Sequence, residues 1–276
     1  MRTITHSTGP VQLALDVALG HVEVHLEEGR DVAEVTLSPM EFGDSTAARL
    51  IADTEVAETA DRLAVRVPRP HGVNGGTTVI QSRGAVIQMF GDVVNVVGVT
   101  IVNGRVISGT GATVVQTGGG VRVVARLPLG STLALDTRTA PVVVTGQVRS
   151  LRFRSLAGDL TANRVDNLDV ETTSGDVSVA RVGFAQVRSV SGDVEVGAAR
   201  DVTLTTTSGD VDIAELAGTA QVRAVSGDVT VHAVEPSGVD ARSVSGDITV
   251  SSGPGVLVAS NTRTVSGRVR NRTERA

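Results

Sequence analysis

A Gly-Asp pair returns along the C-terminal half of this chain at Gly158-Asp159, Gly175-Asp176, Gly192-Asp193, Gly209-Asp210, Gly227-Asp228 and Gly246-Asp247. Gly267-Arg268 continues the series with the acid replaced. The steps are 17, 17, 17, 18, 19 and 21 residues. A near-constant period marks a repeat architecture, in which each unit buries its apolar face against the next. Ahead of each corner stands an alternating run such as Val187-Arg188-Ser189-Val190-Ser191, and behind it one such as Val194-Glu195-Val196. Alternation with period two is strand patterning, and Gly-Asp is turn chemistry.

Alignment on the corner Gly exposes apolar columns. Seven residues before it lie Leu151, Leu168, Ala185, Val202, Ala220 and Val239. Five before it lie Phe153, Val170, Val187, Leu204, Val222 and Ala241, and two after it Leu160, Val177, Val194, Val211, Val229 and Ile248. Strands in successive coils stack about 4.8 Å apart, so each column predicts a continuous internal ladder. The expected fold class is all-β, a parallel β-solenoid of about 17-residue coils with a less regular β-rich N-terminal region. The Ser before each corner (Ser174, Ser191, Ser208, Ser226, Ser245, Ser266) is expected to supply a tight bend and a hydroxyl for the turn amides.

The template extends backward in degraded form through Leu133, Leu135, Ala140-Pro141, Val142 and Val144, and again through Leu13, Leu15, Gly20, Val22 and Val24. Between them the pattern predicts a short helix over 45–52, capped by Asp44 or Ser45, and a strand over 63–67. The expected divisions are 1–70 as N-terminal strands, helix and cap, and 71–120 as a Gly/Val-rich irregular or hairpin insertion. Solenoid repeats follow over 121–269 and a basic, frayed tail over 270–276, the first three forming one continuous fold.

Composition removes several function classes. With four Phe and no Tyr or Trp, the chain has almost no aromatic platforms for stacking sugars or bases. A net charge of −5 gives no reason to expect a nucleic-acid partner. No cysteine is present, so disulfide and thiolate chemistry are excluded. All 25 basic residues are Arg, which, with the abundant Ala, Val and Gly, resembles the bias of a GC-rich bacterial genome. Residues 1–20 lack the apolar core of a signal peptide, and no run is apolar enough for a transmembrane helix. The expectation is therefore a cytoplasmic protein, reaching the surface only by an unrecognised export route.

The Ser-Gly-Asp-Val units, preceded by a Leu127-Pro128 strand end and the 133–137 strand, resemble the bacterial putative-adhesin family of domain-of-unknown-function β-strand-repeat proteins. The similarity is good over 121–269 and looser over 11–68. It implies a β-solenoid and a name suggesting surface attachment, and it brings no catalytic residues.

Four residues before the corners, Arg154, Arg188, Arg223, Arg242 and Arg263 form a column that Glu171 and Thr205 interrupt. Strand alternation points these outward as a candidate interaction stripe. The plainer reading is a solvated face balanced by Glu171, Glu195 and Asp240. Two residues before the corners, Leu156, Val190, Val225, Val244 and Val265 face outward under strict alternation, or inward if the preceding residue kinks. The column Asp159, Asp176, Asp193, Asp210, Asp228 and Asp247 lacks calcium-repeat spacing, and the favoured reading is that each Asp caps its own turn. His21, Glu23, His25 and Glu27 alternate along one strand and could ligate zinc, though a plain exposed edge fits better. No phosphate loop, nucleophile elbow or convergent acid–base cluster appears, so no catalytic, cofactor or metal residues are assigned. The sequence therefore reads as a non-enzymatic structural or interaction protein, a scaffold or adhesin-like module able to self-associate, with a protein partner (itself or another). The alternative is an envelope-binding module that uses the Arg stripe on an anionic lipid or surface.

Overall fold

The computed structural model describes residues 1–69, 78–82, 85–89, 99–102, 105–108 and 119–275. It is the expected parallel β-solenoid. The chain opens with β1 (Arg2–Thr8), β2 (Gln12–Val17), β3 (Gly20–Glu27) and β4 (Val32–Pro39). Helix α1 (Ser45–Ala52) leads into β5 (Glu55–Thr59) and β6 (Arg62–Arg66). Two antiparallel pairs follow, β7 (Thr78–Ser82) with β8 (Ala85–Met89) and β9 (Val99–Val102) with β10 (Arg105–Ser108). Most of the expected 71–120 insertion lies outside the described residues.

The repeats run through β11 (Val121–Pro128), β12 (Thr132–Thr137), β13 (Val142–Ser155), β14 (Leu160–Ser174) and β15 (Val177–Ser191). They continue as β16 (Val194–Thr206), β17 (Val211–Ala224), β18 (Val229–Ala233), β19 (Ser237–Ser245) and β20 (Ile248–Ser252). β21 (Leu257–Ser266), β22 (Val269–Arg272) and β23 (Glu274–Arg275) close the stack. Residues 270–275, expected as a frayed tail, instead pair in parallel: Thr249 lies opposite Arg270, and Leu257 opposite Glu274.

Strands β13 to β17 each pass through a bend, so one strand serves two faces of the solenoid. Like residues stack across coils: Leu160 on Val177, Val177 on Val194, Val194 on Val211 and Val211 on Val229, all buried. Burying a side chain of this size stabilises by about 1.5–3 kcal/mol, and each column repeats that gain along the axis. With so few aromatics, small branched side chains fill a thin interior; among the described residues Phe153 is the one Phe in the core.

The coils do not stack in chain order. β2 lies between β6 and β12, and β3 between β11 and β13, all parallel. The coil of β6 and β11 therefore sits outside that of β2 and β3, and the chain re-enters on the far side through β12. Beyond this outer coil β4 pairs antiparallel with β11, β1 with β4, and β5 with β6. Helix α1 buries Ala47, Leu50 and Ile51, and Asp44 is its N-cap, accepting from the N–H groups of Thr46 and Ala47 at 2.9 Å. Arg2 reaches the other helix end, donating to the Thr54 carbonyl at 2.7 Å.

Candidate interaction surface

The corners explain why Ser-Gly-Asp recurs. A Cβ on Gly209 would lie 2.2 Å from the carbonyl oxygen of Gly192, and the same contact recurs at Gly158, Gly175, Gly192, Gly227, Gly246 and Gly267 at 2.1–2.4 Å. Gly209 also holds φ +112°, a region that side chains avoid. Glycine is the residue that fits.

The Asp column acts between coils, and this corrects the expectation that each Asp caps its own turn. Asp159 accepts a hydrogen bond from the N–H of Asp176 at 3.0 Å, Asp176 from Asp193 at 2.9 Å, and Asp193 from Asp210 at 2.8 Å. Asp210, Asp228 and Asp247 do the same for Asp228, Asp247 and Arg268 at 2.7–2.8 Å. In return, the Asp carbonyls accept from the coil before: the N–H of Val194 donates to Asp210 and that of Val177 to Asp193, both at 2.9 Å. Each carboxylate thus satisfies a corner amide that the sheet ladder leaves unpaired.

A second correction concerns the hydroxyls. Hydroxyls that bond the turn stand two residues before the Ser beside the corner, and most of them meet carbonyls where amides were expected. Ser189, Thr206 and Ser243 point inward and donate to the carbonyls of Ser191, Ser208 and Ser245 at 2.9–3.1 Å, while Ser155 accepts from the N–H of Gly158 at 2.7 Å. Thr172, in the same column, is buried with its hydroxyl unpaired.

Outside, the Arg stripe lies in register. Arg154 faces Glu171, Glu171 faces Arg188, Arg188 faces Thr205, and Arg223, Arg242 and Arg263 follow in adjacent coils. Toward the N-terminal end the column continues through Asp136, Asp16 and Arg66. Glu171 holds Arg154 at 3.1 Å and Arg188 at 3.4 Å, and Arg242 pairs with Asp240 at 3.1 Å. Arg223 and Arg263 have no acidic partner among the described residues. Strict alternation decides the neighbouring column. Leu156, Val190, Val225 and Val244 are 50, 50, 49 and 50% exposed and Val265 78%, so all face solvent.

The two outer columns share a pattern that column-by-column reading missed. Wherever Arg stands four before the corner, Leu or Val stands two before it; the Glu171 and Thr205 coils carry Thr173 and Thr207 instead. Each coil thus presents across one edge a row of Arg, aliphatic, corner and Asp, as in Arg242, Val244, Gly246 and Asp247. At the N-terminal end a shallow groove on this edge is lined by Arg69, Arg138, Arg154 and Arg188 together with Asp16, Asp136 and Glu171.

The histidine strand does not converge on a metal. Glu23 lies 3.4 Å from His21 and 3.9 Å from His25, and His25 is hydrogen-bonded to the Thr145 hydroxyl at 2.7 Å. Glu27 is turned away onto Arg30, whose hydrogen bond at 2.7 Å holds the carboxyl below its usual range. No described group of three or more His, Asp or Glu is placed to hold an ion. Among the described residues no helix is long and apolar enough to cross a membrane.

No curated protein matches the chain. Among solved structures, a putative lipid binding protein from Parabacteroides distasonis ATCC 8503 matches over 98% of this chain and 96% of its own, with 10% identity and a TM-score of 0.55. A putative adhesin from Parabacteroides merdae ATCC 43184 matches over 98% and 95%, with 10% identity and a TM-score of 0.53. At such identity these likenesses concern the fold. The Ser-Gly-Asp register has a firmer counterpart in a family model that matches residues 111–274, and the chain belongs to the Toastrack DUF4097 family.

Proposed function

We propose that this protein is a non-enzymatic docking rod, a stiff solenoid that presents its Arg–aliphatic edge to a protein partner. The observation that carries this is the coupling of Arg and Leu or Val in the same rows. Solvation alone has no use for an exposed aliphatic beside each Arg. A docking surface does, because apolar contact supplies attraction while Arg sets orientation. The neighbours' names, adhesin and lipid binding protein, belong to those proteins and fit a binding role in general terms. An anionic lipid surface is the weaker reading, since the Asp column runs beside the Arg column along the same edge and would repel it.

A photo-crosslinking residue at Val244, compared with one at Thr230 on the adjoining face, tests the proposal in cells that make the protein. Adducts of discrete protein mass are expected from position 244 and none from 230. Equal labelling from both positions, adducts to lipid, or no adduct at position 244 would overturn it.

A further inference from the structure

We infer that the partner on this edge is a second copy of the chain, docked side by side with its two-fold axis parallel to the rod. The inference rests on the docking role proposed above and deepens it. Across the edge each row reads Arg, aliphatic, corner, Asp. When two such edges face each other, a two-fold along the rod exchanges left and right and leaves every row at its own height. Arg then meets Asp on both sides, and the aliphatic side chain meets its own mate at the centre. A two-fold across the rod keeps left and right, setting Arg against Arg and Asp against Asp. One edge is thus complementary to itself in a single orientation.

The rows also fix the register. With the copies level, Val190 faces Val190, Val225 faces Val225 and Val244 faces Val244. The Thr173 and Thr207 rows likewise face themselves. A slip by one coil sets Val190 against Thr207. The paired charges in level register are Arg154 with Asp159, Arg188 with Asp193, Arg223 with Asp228, and Arg242 with Asp247. Two rows oppose this pattern. Arg263 meets Arg268, and Glu171 meets Asp176, although Glu171 is already held by Arg154 and Arg188 of its own chain.

Seven rows at about 4.8 Å span roughly 29 Å, and the chain from Arg to Asp measures about 16 Å along its contour, an upper bound on the width because it turns at the corner. The contact is therefore at most on the order of 500 Å² per copy, at the low end for specific association. The dimer should be weak and reversible, and because its charges lie at the rim, sensitive to salt.

The chain contains no cysteine, which makes the test clean. Val190→Cys, Val225→Cys and Val244→Cys are made singly, with Val234→Cys, exposed off this edge, as control. Purified proteins are oxidised or treated with a short bismaleimide and separated without reductant. The level parallel dimer crosslinks at all three edge positions and not at 234. Crosslinking at a single edge position identifies the crossed arrangement and overturns the inference, as does crosslinking at none. In sedimentation, Arg223→Glu with Arg242→Glu should weaken dimerisation about tenfold or more while circular dichroism is unchanged. If no edge cysteine crosslinks yet Val244 captures a different protein, the second copy is wrong and the docking role stands.

Discussion

The main-chain N–H of Asp210 donates to the carboxylate of Asp193 across 2.8 Å, from one coil to the next. This bond ties the repeat's acidic residue to the stacking of coils. It predicts that Asp193→Ala loses about 1 kcal/mol locally, because the Asp210 amide loses a charge-assisted partner but gains access to water. Hydrogen exchange at Asp210 should quicken about fivefold in Asp193→Ala. Asp193→Asn, which keeps an oxygen in place, should change it little. Equal acceleration in both variants would point to charge, not to the acceptor.

Two glycines separate steric from conformational demand. Gly209 and Gly255 both hold positive φ, +112° and +76°, but a Cβ on Gly209 strikes the Gly192 carbonyl at 2.2 Å while one on Gly255 meets open space. Gly255→Ala should cost about 1 kcal/mol of backbone strain. Gly209→Ala adds a clash with backbone that cannot retreat without parting two coils, so its loss should be several-fold larger. Urea denaturation of both variants checks the ratio, and similar losses would mean that the coils are less tightly stacked than described.

Much of this was legible because a solenoid writes each interior column repeatedly. Leu160, Val177, Val194 and Val211 predict one another, and the helix could be placed from Asp44 and the residues after it. The coil order was not legible. The segments Leu13-Ala14-Leu15, Leu63-Ala64-Val65 and Leu133-Ala134-Leu135 are nearly interchangeable, so pattern alone does not show that β2 lies between β6 and β12. The inter-coil role of Asp193 was hidden too, since its acceptor geometry depends on the neighbouring coil. The edge signal was present, but only when Arg242 and Val244 are read as one row.

Asp44 carries an acid-sensitive contribution at the other end of the molecule. Burial disfavours its ionised form, but hydrogen bonds from the N–H groups of Ala47, Gly119 and Thr46 outweigh that and hold the carboxyl below its ordinary 3.8. A carboxyl that ionises more readily when folded stabilises the fold at pH above its unfolded value. That contribution fades as pH falls through the depressed folded value. Asp44→Ala should cost about 1 kcal/mol near neutrality, the usual worth of an N-cap. Asp44→Asn should cost less and flatten the acid limb of the denaturation profile. An unchanged acid limb in Asp44→Asn would remove Asp44 from the account.

The composition of the last described coil bears on end-to-end growth. An open solenoid end offers unpaired strand amides and the exposed tops of its apolar columns, and both invite end-to-end growth. Here three columns turn polar at their final step, Val239 being followed by Ser260, Ala241 by Thr262 and Val250 by Asn271, while Ile248 is followed by Val269. Asn271 and Ser260 then hydrogen-bond to each other across the end. Arg268, Arg270 and Arg272 add like charge to the last face, with Arg270 held 3.6 Å from Asp247. Deleting residues 270–276 removes most of β22 and all of β23, leaving Val250 and Val258, now buried, open at the end. The truncated chain should form end-to-end oligomers or filaments, as should Ser260→Leu combined with Thr262→Val and Asn271→Val. Electron microscopy separates these from side-by-side dimers, because growth at the end lengthens the rod and pairing at the edge widens it. Assembly should rise with salt for the triple variant, where Arg268, Arg270 and Arg272 remain to be screened, and less so for the truncation, which keeps Arg268 alone. If both variants stay at the length of one rod at every salt concentration, the polar final coil is not what keeps the ends apart.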